Sequence, residues 1–406
     1  MTASTTPSAP PRAGSPAHVR LALLALSMGG FAIGTTEFAA MGVLPDFAAG
    51  LGIDEPTAGH VISAYALGVV IGAPLLAVLG ARLPRHTLLI GLMGLFAMGN
   101  GLSAVAPSYE WMLVFRFLSG VPHGAYFGVA ALVAASLVSP ERRAQAVARV
   151  LMGLTIATII GVPFAKTVSL EFGWRWTFAI VAALAAVTMT LVHLFAPKDA
   201  GDPAASPLRE LGALKRGQVW LTLGIGAIGF GGMFAVYAYL ASTLMAVTGV
   251  SAQMTAIVFA VFGIGMTIGN LVGAWAADRA QMPAAGGILL WSAGALALYP
   301  FAAGHLWSMI LCVFLIGCGG GLGSILQTRL MDVSGDAQTL GAALNHSAFN
   351  TANAIGPWLG GMAVAAGYGW TSTGWVGCGL ALGGLLIWGI SSLDDRRRRT
   401  VMASAV

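Results

Sequence analysis

A pattern of glycines recurs at a fixed offset of 197 residues: Gly52, Gly68, Gly72 and Gly120 return as Gly249, Gly265, Gly269 and Gly317. An offset near half the length of a 406-residue chain means two copies of one unit joined head to tail. The units are sets of long apolar runs, and the runs repeat at the same offset. Duplicated sets of spanning segments are the parallel-repeat plan of many secondary transporters, so the repeat constrains the chain to two lobes of helices in a membrane.

Composition agrees. With 57% hydrophobic and 9% charged residues, the chain has too little polar surface to cover a soluble globule of this length. Runs of about 20 residues, enough to cross the hydrocarbon core, lie near 20–43, 57–80, 87–106, 111–137, 145–168, 176–195, 218–244, 253–277, 284–303, 307–328, 340–365 and 372–392. The expected fold is an all-α membrane protein with twelve transmembrane helices in two six-helix pseudo-symmetric bundles. Its parts are a disordered N-terminus (1–18), an N-terminal bundle (19–196), a linker (197–217), a C-terminal bundle (218–393) and a basic tail (394–406). The first apolar run carries no small-residue cleavage site, so no removable signal peptide is expected.

Basic residues set the orientation, because cytoplasmic loops retain Lys and Arg. With the N-terminus inside, 17 of 20 basic residues fall on the cytoplasmic side; Lys166 and Arg175 fall outside and Arg116 falls within a span. Both termini, the linker and the tail are therefore expected in the cytoplasm, in a multi-pass protein of the plasma or inner membrane. The pI near 9.4 then reflects topology and not nucleic-acid binding, since the charge is scattered over short loops without interleaved aromatics. Cys312, Cys318 and Cys378 lie within spans without metal or redox spacing and read as small packed residues. No metal site, cofactor or enzyme motif is found. The expected partners are a small-molecule substrate and lipid, with the chain a monomer.

Local motifs carry a resemblance. Arg116-Phe-Leu-Ser-Gly120 matches the Arg-x-x-x-Gly signature of the major facilitator superfamily. Gly153 through Gly161-Val162-Pro163 resembles that superfamily's antiporter signature, with Phe164-Ala165 in place of the usual small residues, and Gly356-Pro357-Trp358-Leu359-Gly360-Gly361 has the Gly-Pro-x-x-Gly-Gly form. The loop pattern Gly-x-Leu-Ala-Asp-Arg-x-Gly-Arg-Lys aligns with residues 77–86, where Ala81 replaces the acid; the repeat copy keeps it as Asp278-Arg279. Thr36-Glu37-Phe38, Ala58-Gly59-His60, Tyr65 to Val70, Pro122-His123-Gly124-Ala125-Tyr126-Phe127 and Leu340-Gly341-Ala342-Ala343 are similar to the AraJ-like arabinose-efflux permeases, in the drug:proton antiporter group with the chloramphenicol exporters. The resemblance implies export of a small organic compound such as a drug, sugar or nucleoside, driven by the proton gradient. An uncoupled facilitator and a proton-coupled sugar importer share the fold and stay open.

Intramembrane charges are costly and usually kept for function. Glu37 lies eight residues before Pro45, about 12 Å inward, and Arg116 six residues from Glu110, about 9 Å inward. If the first and fourth helices line the central cavity, as the superfamily fold implies, the two face each other or are linked through one polar residue. Glu37 is then the proton carrier or the cap of an interhelix network; Arg116 is a relay partner or a structural anchor. His123, two turns beyond Arg116, is a third proton-coupling candidate or a packed hydrogen-bonding residue. The repeat equivalents of Glu37 and Arg116 are Phe234 and Val313, so only the N-terminal half carries this pair. Candidate cavity residues are Tyr65, Tyr126, Phe127, Phe234, Tyr237, Asn345, His346 and Asn350, each with interhelix packing as its alternative. Gly153, Gly161, Pro163, Gly356 and Pro357 thin or bend the fifth and eleventh helices. Arg82 and Arg85 with Asp278 and Arg279 are expected to latch the cytoplasmic ends, or to be solvated loop charges.

Overall fold

The computed structural model describes residues 16–139, 143–201, 211–335 and 337–404, with 143–145, 148, 278, 338, 339 and 398–404 described by their backbone alone. Twelve long helices follow one another: α1 (Pro16–Gly42), α2 (Glu55–Leu79), α3 (Arg85–Ala104), α4 (Tyr109–Ser136), α5 (Arg149–Phe172), α6 (Trp174–Phe195), α7 (Gly217–Thr248), α8 (Ala252–Ala277), α9 (Arg279–Ala302), α10 (Leu306–Ser334), α11 (Gln338–Ala363) and α12 (Ser372–Ser404). Eleven are long and apolar enough to cross a membrane; α11 is also long enough, with Asn345, His346, Asn350 and Asn353 diluting its apolar character. Helices suit these runs because lipid offers no partner to a free backbone N–H or C=O. The observed spans agree with the expected ones to within a few residues at most ends. α8 and α9 run together as one 51-residue helix broken at Ala280, which has extended backbone. Twelve spans put both chain ends on one face, called here the terminal face.

The 197-residue repeat holds at the level of contacts. Gly52 (φ 69°) and Gly249 (φ 74°) both end a helix in the left-handed conformation that glycine adopts without steric cost. Next, Asp54 and Ser251 cap α2 and α8, accepting from the N–H of Thr57 at 2.9 Å and of Met254 at 3.2 Å. A methyl at Gly68 or Gly72 would strike the carbonyl of Phe117 or Val121 on α4; one at Gly265 or Gly269 would strike that of Phe314 or Cys318 on α10. Those carbonyls are themselves 197 residues apart. Small residues that let backbones approach are what lipid-embedded helices use for packing, since lipid provides no hydrophobic drive between them.

The halves meet along α2 with α11, α5 with α8 and α1 with α7. Toward the face opposite the termini, one apolar core runs through both halves and includes Phe38, Met41 and Phe47 with Phe234, Tyr237 and Leu244. Phe38 lies 6.3 Å from Phe234 and 5.5 Å edge-on to Tyr237, centroid to centroid, and Ser242 of α7 donates to the Glu55 carboxylate of α2. Near the terminal face the halves touch through small residues, Ala73 and Ala77 of α2 with Ala343 of α11.

Three expectations at the ends are adjusted. Residues 16–18 are the first turn of α1, not disordered chain, and 1–15 lie outside the described residues. Within the linker, Leu211–Lys215 form a short 3₁₀ turn, and Asp199 accepts from the N–H groups of Arg85 and His86 at 3.1 and 3.3 Å, capping α3. The tail continues α12, where Asp395 pairs with Arg329 of α10 and Asp394 accepts from Gln218 of α7 at 2.7 Å. Lys166, basic yet on the face away from the termini, is buried and paired with Asp46 at 2.8 Å.

Candidate functional site

A cavity of about 200 Å³ lies between the halves, walled by α1, α4 and α5 on one side and α7, α8, α10 and α11 on the other. Its lining stretches, including Leu151–Thr155 of α5, Met266–Ala274 of α8 and Asn345–Asn350 of α11, belong to the parts of those helices nearer the terminal face. The rings of Phe38 and Phe234 form its other end. Met152 of α5 (47% exposed) and Leu271 of α8 (65%) line the cavity and are also exposed, on two helices that meet across the halves.

Glu37 is buried on α1 and lines this cavity. Its Oε1 accepts from Asn353 Nδ2 of α11 at 3.3 Å, a hydrogen bond between the two halves. The Asn353 Oδ1 has no partner. The carboxylate is buried away from lipid and makes no hydrogen bond or ion pair with Arg116.

Arg116 instead grips the residue next to Glu37. Its Nη1 donates to Thr36 Oγ1 at 2.9 Å, Asn100 Oδ1 at 3.4 Å and Ser119 Oγ at 3.5 Å, and Nη2 donates to the Thr36 carbonyl at 3.4 Å. Thr36 also donates to Asn100 Oδ1 at 2.6 Å. The Asn100 amide is held in that orientation by Nδ2 donating to the Phe96 carbonyl at 2.9 Å. Above and below, the guanidinium lies over Tyr65 at 4.5 Å and Phe178 at 5.1 Å. Of the two arrangements left open by the sequence, the direct pair is not formed; the link runs through Thr36 and ties α1, α3 and α4 together around a charge with neutral partners.

His123 opens the second segment of α4, after the break at Val121–Pro122. Its Nδ1 shares a hydrogen bond with Tyr65 OH at 2.9 Å, and its ring lies 5.5 Å from that of His346 on the opposite half. Phe127 stacks on His346 at 4.7 Å. Both histidines line the cavity.

Among the eight candidate cavity residues, Phe234, Asn345, His346 and Asn350 line it. The other four do not: Tyr65 serves Arg116 and His123, Phe127 backs His346, Tyr126 donates to the Leu26 carbonyl of α1 at 2.9 Å, and Tyr237 packs among Phe38, Phe259 and Phe262. Large aromatic side chains in Gly-rich spans fill the gaps that the glycines leave, and sequence gives no sign of which face they take. Missed residues include Asn353, Thr36, Asn100, Gln327, Asn270 and Phe349. Asn353 had a signal, since it follows Asn350 by three residues on the same helix face.

The expected gating residues are distributed differently. Arg279 donates to the Trp275 carbonyl at 3.0 Å and lies over that indole at 3.9 Å, held against the end of α8; the side chain of Asp278 lies outside the described residues. Arg82 and Arg85 are exposed beside the Asp199 cap. A methyl at Gly153 would strike the Ser27 carbonyl and one at Gly161 the Thr35 hydroxyl, both on α1. Residues Ala157–Gly161 form a wide π turn just before Pro163. Gly356 abuts the Gly231 carbonyl of α7, and the Pro357 carbonyl accepts from Tyr239 OH at 3.0 Å. These glycines and prolines hold helices together within each half.

The sequence profile of the Major Facilitator Superfamily matches residues 26–282 and 221–401. The inner membrane transport protein YdhP of Escherichia coli K12 is 38% identical over 89% of this chain and 94% of its own length. A chloramphenicol resistance protein of Streptomyces lividans is 33% identical over 83% and 87%. Among solved structures, a bacterial homologue of the human lysosomal transporter Spinster, inward-facing and unoccupied, superposes with a TM-score of 0.69 at 18% identity, covering 93% of this chain and 98% of that one.

Proposed function

Since the chain belongs to the Major Facilitator Superfamily, and so is a multi-pass membrane transporter, we propose that it exports a small organic compound in exchange for protons by alternating access. One observation carries this reading: among the described lining residues of the cavity Glu37 is the only carboxylate, and it is bonded across the seam between the halves. Export is supported by the relative that confers chloramphenicol resistance. A plasma or inner membrane location is supported by the inner-membrane relative, and cytoplasmic termini by the basic loops. The proton gradient is the energy source; no cofactor takes part, and the transporter works as a monomer.

The chemistry follows from the carboxyl. Ionised, Glu37 attracts cargo entering from the terminal face and accepts from Asn353 Nδ2. Protonated, it loses its hold on cargo and can donate to the unpartnered Asn353 Oδ1. A neutral carboxyl is also far less costly to carry through an apolar seam, which favours return of the empty, protonated transporter. Arg116 acts as an anchor that fixes the Glu37 segment of α1 through Thr36, and His123 extends the polar path to the other half. Rocking occurs about the α2–α11 and α5–α8 contacts.

The test uses inverted vesicles with an acidified lumen and chloramphenicol as probe. Addition of the drug should dissipate the pH gradient and accumulate drug in the lumen, and Glu37→Gln should reduce both to background while insertion is unchanged. Full uphill transport by Glu37→Gln overturns the role of Glu37. Drug movement without proton movement marks a facilitator, and proton and drug moving together marks an importer.

A further inference from the structure

The cavity wall narrows the choice of cargo. Asn345 and Asn350 of α11 both line it and are nearly inaccessible, 6% and 1% exposed. Each amide nitrogen already donates within the protein. Asn345 Nδ2 donates to Gln327 Oε1 at 2.6 Å, while Gln327 Nε2 donates to the Ala342 carbonyl at 3.5 Å; Asn350 Nδ2 donates to the His346 carbonyl at 3.1 Å. A backbone carbonyl only accepts, so these bonds fix which way each amide faces. The oxygens Asn345 Oδ1 and Asn350 Oδ1 are left buried with no partner in the protein. Buried acceptors without donors are rare because each costs about 1–3 kcal/mol, and they call for a partner that donates.

Charge and shape limit that partner further. Among the described lining residues Glu37 is the only formally charged one, and none is Lys or Arg. An anion would meet a carboxyl group and two amide oxygens, while the nearest guanidinium, Arg116, stands outside the wall and is spent on Thr36, Asn100 and Ser119. Phe230 and Phe349, whose rings lie 4.2 Å apart, add an aromatic flank that suits a flat ring or a cation. A volume near 200 Å³ is below the roughly 300–1,000 Å³ of typical drug-sized pockets.

We propose that the cargo is a compact aromatic compound, uncharged or cationic, bearing hydrogen-bond donors that Asn345 Oδ1 and Asn350 Oδ1 accept, and that anions of the same shape are rejected. This rests on the reading of the cavity as the transport site. Three indoles of matched size test it by their effect on the melting temperature of the full chain in detergent: tryptamine (a cation), indole-3-ethanol (a neutral donor) and indole-3-acetate (an anion). Tryptamine and indole-3-ethanol should raise the melting temperature and indole-3-acetate should leave it unchanged. Asn350→Leu should weaken indole-3-ethanol about tenfold, the effect of one lost hydrogen bond; Asn345→Leu provides the same test independently should the first variant fail to fold. Indole-3-acetate binding as well as indole-3-ethanol, no response to any of the three, or full affinity in the Leu variants overturns the assignment. Because no gradient is present, these failures strike the cargo class alone, whereas proton coupling stands or falls with Glu37→Gln in vesicles.

Discussion

The two halves of this transporter share a scaffold and differ in what they bury. At equivalent positions, Thr36, Glu37, Tyr65, Asn100, Arg116, Ser119 and His123 of the first half correspond to Met233, Phe234, Phe262, Ala297, Val313, Ile316 and Gly320 of the second. The glycine-to-carbonyl contacts between the second and fourth helices of each half are nonetheless the same, residue for residue. Backbone packing is thus set by small residues that tolerate no replacement, while the side chains around them are free to diverge. One half holds a buried polar cluster; the other fills the same volume with hydrocarbon and offers its polar groups on α11 instead.

Three perturbations test that contrast, beginning with the most damaging. Gly72→Val and Gly269→Val each drive a branched side chain into a carbonyl that cannot move without shifting a whole helix, so both should abolish monodisperse protein on size-exclusion chromatography, and to the same degree. Tolerance in one half only would break the claim of a shared scaffold. Arg116→Met removes a guanidinium that makes four hydrogen bonds to neutral partners; charged hydrogen bonds are worth about 1.5–3 kcal/mol each, not additively. A loss of about 3 kcal/mol in unfolding measurements in detergent is expected. Wild-type stability in Arg116→Met would remove the anchor role. The smallest effect concerns the equivalent caps. Hydrogen bonds from Thr57 hold the Asp54 carboxyl below its ordinary range. A depressed folded pKa contributes stability above the unfolded pKa, and that contribution disappears as pH falls through the folded value. Protection of the first turn of α2 in hydrogen exchange should therefore weaken slightly below about pH 4, whereas the first turn of α8, capped by the Ser251 hydroxyl, should not respond.

Much of this was legible in the chain. Twelve spans, the offset of 197 and the burial of Glu37 within a span follow from hydropathy, spacing and the cost of charge in lipid, all of which act locally or along one helix. The partner of Arg116 was not legible, because a guanidinium donates to neutral oxygens as well as to carboxylates and three helices contribute them. Nor was the placement of the tyrosines: Tyr65, Tyr126 and Tyr237 occupy similar helices, yet only the rotation of each helix decides whether a ring meets a cavity, a backbone or another ring. Asp199 shows the same limit differently. Its sequence position, in a Pro-rich connection, gave no hint that it caps a helix more than a hundred residues earlier.

The glycine seats also bear on how this protein is assembled. Each lies wholly inside one half, pressing the second helix of that half on its own fourth, while the halves touch chiefly through apolar rings and alanines. Either lobe therefore carries the instructions for its own helix packing. A chain cut between 202 and 210 and synthesised as two pieces should dock into a working whole, with the covalent connection serving to match the supply of one lobe to the other.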